Sequence, residues 1–239
     1  MFGKYLFYAI GEIVLVVIGI LIALSINNWN IDKIETKKEQ VILRGLKTTF
    51  EKNLEELKNK YASTKEAYDA SIKLLDYINP EITPHSVRDI DTLISSMINY
   101  STYNPSIGTV ENIINSGDLN LIKNEKLKNN ISDWSGMLND TDKDIKITND
   151  YTFNALLAFL LQNANLKNAP VPEWLKSTAL FTSKAASNFT PDYDQLLTSL
   201  EFENLVDFHS LNLIYLSGEY IKLETYLDET IALLGMEIR

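Results

Sequence analysis

Apolar positions follow two different patterns along the chain. From Leu6 to Ile26 they run almost unbroken, interrupted by strongly polar side chains only at Glu12 and Ser25. Beyond Asn27, Asn28 and Asn30 the pattern turns periodic: Leu43, Leu46, Phe50, Leu54, Leu57, Tyr61, Tyr68, Ile72 and Leu75 are separated by steps of three, four and seven. Such steps set side chains on one stripe of an α-helix, and the interleaved "EKNLEELKNK" supplies a solvated face with i,i+4 Glu–Lys pairs. No proline precedes Pro80. The spacing therefore predicts one helix from the apolar run to about Ile78.

Pro80 and Pro84 mark the first corner, and Val87, Ile90, Leu93, Ile94 and Met97 then read as one side of a short helix. A second short helix follows the loop 100–109, with Thr109 and Asn112 as candidate caps and Ser116-Gly117-Asp118 as its stop. Leu127, Ile131, Trp134, Leu138, Ile145 and Thr152 keep helical spacing into "FNALLAFLLQ". Residues 168–192, with Pro170, Pro172 and Pro191, read as an irregular excursion. In the last helix Leu205, Phe208, Tyr215, Leu216, Leu223, Leu227 and Leu234 are the expected buried face.

The expected fold is all-α: an N-terminal transmembrane helix continuing into a long amphipathic helix that packs in an antiparallel helical bundle. The anchor covers 1–30 and the body 31–239. Within the body we expect a long helix over 31–79, short helices over about 85–117, a long helix over about 124–165, and a C-terminal helix over about 200–235.

The apolar run is 21 residues long, about 30 Å as a helix, which matches the hydrocarbon thickness of a bilayer. Tyr5 and Trp29 lie at its two ends as interfacial aromatics. A cleavable signal peptide ending at Ala23-Leu24-Ser25, or a buried core helix, are the competing readings of the same run. Glu12 is costly in lipid unless it faces protein or water. On a helix turning about 100° per residue, Tyr5, Tyr8, Gly19 and Ala23 fall within about 40° of it. Gly19 and Ala23 form a small-xxx-small pair that lets helix backbones approach. Tyr5, Tyr8, Glu12, Gly19 and Ala23 are thus a candidate association face for a homo-oligomer. Glu12 is either part of that packing, a partner to a polar group on another protein, or the lining of an ion or proton path.

The formal charge is −10, unevenly spread: residues 31–80 hold ten basic and nine acidic side chains, residues 81–239 eleven and twenty-two. So acidic a far end repels nucleic acid backbones, and nucleic acid is not an expected partner. With no cysteine there is no thiolate nucleophile or thiolate metal site. Asp140, Asp142 and Asp144 imitate the start of a calcium loop, but Ile145 and Tyr151 occupy the positions of its glycine and closing glutamate. His85 and His209 have no metal-motif partners in sequence, and His209 reads as a packed or half-exposed histidine. No phosphate-binding glycine loop, nucleophile elbow or H-E-x-x-H occurs. We expect no enzyme activity, no metal and no cofactor. Trp174, Phe181 and Phe189, with Leu175 and Leu180, make the excursion more apolar than a solvated loop needs, so it either caps the core or serves as a partner-binding lid.

The string "KYLFYAIGEIVLVVIGILIALSINNWN" (4–30) resembles the N-terminus of an uncharacterised family of single-pass membrane proteins from Bacteroidota, and "NPSIGTVENIINSGDLNLIKNEKLKNNISDW" (104–134) resembles its helical body. Ser25 stands where that family usually has glutamine. No activity is established for the family. A basic arm commonly precedes its span, which implies an inner-membrane anchor with the body in the periplasm. Lys33, Lys37, Lys38 and Arg44 after the span, against Lys4 before it, point the other way. The combined expectation is a membrane-anchored, self-associating scaffold or partner-binding protein in contact with lipid, with an ion-conducting oligomer or a ligand-sensing protein as alternatives.

Overall fold

A computed structural model describes residues 2–78, 86–171, 176–178, 181–182 and 185–239, with side chains from Ile10 onward. Among these residues there is no strand. Helix α1 is a single helix, Phe2–Ile78. It is followed by α2 (Val87–Ile98), α3 (Gly108–Ser116), a 3₁₀ turn (Asp118–Leu121) and α4 (Glu125–Tyr151). A π-helical turn (Thr152–Leu156) leads into α5 (Leu157–Asn163), then come α6 (Tyr193–Leu197) and α7 (Leu200–Glu237). The chain folds into two compact units.

The first unit gathers α1 up to Thr49 with Gly108–Ser132 and Ala232–Arg239. Leu43, Leu46, Val110, Ile122, Leu127, Ile131 and Leu234 are buried in it. Its polar seams are closed by side chains that satisfy loop and terminal backbone. The nearly buried Glu39 accepts from the Lys123 N–H at 3.0 Å. Asn124 caps α4, its Oδ1 accepting from the Leu127 N–H at 3.0 Å while its Nδ2 donates to Glu237 Oε1 at 2.8 Å. Gln40 donates to the Glu237 carbonyl at 2.9 Å and accepts from the Arg239 N–H at 2.8 Å, and Arg44 donates to the Arg239 carbonyl at 2.6 Å. These charge-assisted and amide bonds lock the last residues onto α1. Gly117, at φ 80°, supplies the left-handed turn that ends α3. Thr109 is not the expected cap: α3 begins at Gly108, and the Thr109 hydroxyl accepts from Thr49 at 3.0 Å instead.

The second unit holds α1 from Phe50, α2, the α4–π–α5 stretch, α6 and most of α7. Here α4 and α7 run antiparallel. Trp134 stacks on Tyr226 at 6.2 Å towards one end, and Tyr151 donates to the Leu205 carbonyl at 3.1 Å towards the other. One core cluster joins Leu74, Ile94, Met97, Leu160, Phe202 and Val206.

Buried positions on the three long helices recur mainly at steps of three, four and seven, the spacing of one face packed along each helix. On α7 they include Phe202, Val206, His209, Leu213, Leu216, Tyr220, Leu223, Leu227 and Thr230, with Ser210 and Asn212 also buried beside them. On α1 they include Phe50, Asn53, Leu57, Thr64, Ala67, Ser71 and Leu74. The expected Leu43, Leu46, Phe50 and Leu57 on α1 and Leu216, Leu223, Leu227 and Leu234 on α7 are buried, but other expected positions are not. Leu54, Tyr61, Tyr68, Ile72 and Leu75 are only half-buried, flanking the seam. Phe208 and Tyr215, expected in the core, are 52% and 70% exposed. Thr64, Ala67 and Ser71 are the small members of the buried α1 face, between Leu57 and Leu74. On α4 the rhythm runs through Thr141, Ile145, Thr148 and Thr152, then resumes at Leu156 and Leu160. The π turn inserts the extra residue that this shift requires.

Candidate functional site

Within α1 every residue from Ile10 to Glu35 is exposed. Twelve large aliphatic side chains lie between Ile10 and Ile26, each 47–70% exposed. At about 1.5–3 kcal/mol gained per buried aliphatic, transfer of this stretch from water to lipid would gain roughly 20–30 kcal/mol. Glu12, Gly19 and Ala23 are exposed on this stretch. Nothing lies within 4 Å of where a Cβ on Gly19 would stand, so the backbone there is open to a neighbour. Trp29 is 62% exposed, with the Lys33 ammonium 5.0 Å from its ring. Tyr5 and Tyr8 belong to the same helix, but their side chains lie outside the described residues.

Of the excursion residues, Trp174 lies outside the described residues, as do Leu175 and Leu180. Phe181 is 39% and Phe189 85% exposed. Phe189 stands at the rim of a cleft of about 940 Å³ lined also by Phe159, Gln162, Asn165, Asp192 and Glu201. Much of that lining's hydrogen bonding is spent on the loop itself: Asn165 donates to the Phe189 carbonyl at 2.8 Å, and Asp192 caps α6 by accepting from the Gln195 N–H at 2.9 Å. His85 is likewise outside the described residues. The imitation calcium loop is helix surface, with Asp140 paired to Lys143 and Asp142 to Lys146. Among the described residues no group of three or more His, Asp or Glu side chains is placed to hold a metal ion.

Two arrangements were not read from the sequence. The first surrounds the π turn. His209 is fully buried, not half-exposed, and its Nε2 lies 3.1 Å from the Met97 carbonyl. A carbonyl only accepts, so Nε2 carries the proton, and Nδ1 lies 3.3 Å from Thr152 Oγ1, whose one proton goes to the Thr148 carbonyl at 2.7 Å. Tyr100 adds its hydroxyl, donating to Asn149 Oδ1 at 3.0 Å and lying 3.0 Å from Thr152 Oγ1. Tyr151 stacks over the imidazole at 6.5 Å. Burial pushes the His209 pKa down to about 4, partly offset by the Met97 carbonyl. Burial likewise raises Tyr100. A neutral imidazole in a closed network ties α2, α4 and α7 together, and it has no access to solvent for proton exchange with a substrate.

The second arrangement is an apolar groove of about 660 Å³ beside the π turn. Tyr151, Leu200, Leu205 and Phe208 line it with Asn204, Glu201 and Asp207. The Tyr151 ring meets Phe208 edge-on at 4.9 Å. Asp207 raises the Tyr151 pKa further, after burial. The one-residue shift after Thr152 was the available signal for this region, because it breaks the rhythm of α4.

The chain is therefore an all-α protein, and among the described residues one helix, starting near the N-terminus, is long and apolar enough to cross a membrane. It belongs to a family of unknown function, DUF6090, whose family model matches residues 12–138. The matched stretch takes in Glu12, Gly19, Ala23 and Trp29 and extends through α4 as far as Leu138. No curated protein and no solved structure matches the chain.

Proposed function

We propose that this is a non-enzymatic, single-pass protein of the inner membrane, kin to the Bacteroidota proteins that its N-terminus resembles. It self-associates through α1 and acts as a scaffold or partner-binding module, with the body in the periplasm. The observation that carries the reading is the unpartnered apolar surface from Ile10 to Ile26, whose burial lipid supplies and water does not. A carboxylate within that surface needs a neighbour, and the stripe Tyr8–Glu12–Gly19–Ala23 provides one when a second copy turns the same face inward.

Crosslinking in native membranes tests this reading. Dimers or higher species are expected for the wild type, and Gly19→Leu, whose added side chain blocks close approach, lowers their yield. Monomer throughout, or Gly19→Leu assembling like wild type, overturns self-association. An inward ring of Glu12 side chains is also a route for cations. Conductance in reconstituted bilayers that disappears in Glu12→Gln, with assembly intact, favours that second reading, whereas silent bilayers favour the scaffold.

A further inference from the structure

The groove beside the π turn has a track attached to it. Leu200 and Phe208, 69% and 52% exposed, are its apolar walls, and Leu211 and Tyr215 continue the same side of α7 at 41% and 70% exposure. From Leu200 to Tyr215 the track is about 22 Å long, four turns of a docking helix. The steps from Phe208 to Leu211 to Tyr215 are three and four, the spacing that meets i, i+3 and i+7 anchors. The floor is already organised, because Tyr151 is held by its bond to the Leu205 carbonyl and its edge-on contact with Phe208.

Charge selects the occupant. The groove lining carries Glu201 and Asp207 and no basic side chain. The unit that contains it, Phe50–Ile107 with Asp133–Ile231, holds twenty-four acidic and twelve basic side chains. An apolar track rimmed by carboxylates within so acidic a unit disfavours a neutral or acidic helix and favours one with lysine or arginine beside its apolar stripe. A second copy of this groove would bring like charges together.

We propose that the Leu200–Tyr215 track docks an amphipathic helical segment of a partner protein, with basic residues flanking its apolar stripe. The proposal rests on the partner-binding reading above and names the partner's chemistry. The full chain in zwitterionic nanodiscs is titrated with two labelled synthetic helices, one leucine–lysine and one leucine–glutamate, sharing the same apolar stripe. Anisotropy is expected to show the basic helix binding about tenfold or more tighter, and Phe208→Ser weakening it by a similar factor. Glu201→Gln with Asp207→Asn reduces both its affinity and its salt dependence. Phe208 is half exposed, so its variant keeps the fold, which circular dichroism checks; Leu200→Ser provides a second variant. Equal binding of the two helices, or no effect of either apolar variant, overturns the proposal. So does a loss of self-crosslinking in Phe208→Ser, which would assign the track to a second copy. Crosslinking of the wild-type samples reports on self-association independently of peptide binding, so the two readings fail separately.

Discussion

Replacing His209 with glutamine removes a titrating group from the core while keeping a side chain that can hydrogen-bond. In the folded chain the imidazole pKa is pushed down to about 4 from 6.5. The unfolded chain therefore binds the proton more readily, and stability rises with pH across that window. The contribution is fully present above 6.5, is lost as pH falls towards 4, and is constant below. The whole shift is worth roughly 3 kcal/mol at 1.36 kcal/mol per pKa unit. Of this, about 2 kcal/mol has gone by pH 5, whereas less than about 0.1 kcal/mol has gone at pH 7.5. Nothing in the hydrogen-bond geometry opposes the imidazolium, because Thr152 Oγ1 can accept from a protonated Nδ1 while donating to the Thr148 carbonyl at 2.7 Å. Desolvation alone sets the penalty. Urea unfolding of the full chain in nanodiscs at pH 7.5 and 5.0, wild type beside His209→Gln, measures it. Carboxylates titrate in both proteins and cancel in the comparison. The wild type should lose about 2 kcal/mol more than the variant between the two pH values. Parallel losses would show that the histidine is hydrated or already charged, and the burial argument would fall.

Trp134→Ala empties the space between Phe50, 5.2 Å away, and Tyr226. It should cost about 3–5 kcal/mol in chemical denaturation. Asn124→Ala removes the cap of α4 and the bond to Glu237 together, and a loss of about 1–2 kcal/mol in the same assay is expected. Gly117→Ala forces a side chain into the left-handed turn after α3 and should lower stability by about 1 kcal/mol, although no neighbour obstructs the new methyl group. Phe189→Ser, at a side chain 85% exposed, should leave the unfolding midpoint unchanged; a loss of more than about 1 kcal/mol would assign that residue to core capping.

The long helix up to Ile78, the stop at Gly117 and the course of α4 were legible because each rests on a local rule: helical period or left-handed glycine. What was not legible was which further positions complete each buried face. Sequence patterning gives the core to the bulkiest apolar residues, and on α7 that choice is Phe208 and Tyr215. The fold keeps the expected Leu216, Leu223 and Leu227 inside but turns His209, Leu213 and Tyr220 inward in place of Phe208 and Tyr215. The same substitution of rim for core concealed the apolar groove. The π turn has no residue signature of its own; it shows only as the step from Thr152 to Leu156, which needs the packing partners to be interpreted. Glu12, Gly19 and Ala23 lie exposed on one uninterrupted helix, as their spacing implies. The tail's attachment to Gln40 and Arg44 joins residues nearly 200 apart in sequence, and no local pattern encodes it.

The most direct test uses the absence of cysteine from the chain. Val16→Cys and Val41→Cys introduce single thiols at exposed positions of α1, the first in the apolar run and the second beyond it. Both are probed with a water-soluble maleimide in vesicles opened so that both faces are accessible. A retained span across lipid leaves the thiol at position 16 unlabelled until detergent is added, while the one at 41 reacts at once. Ready labelling at position 16 in intact lipid, or a mature chain from which that thiol has been cleaved away, would contradict the membrane-spanning reading.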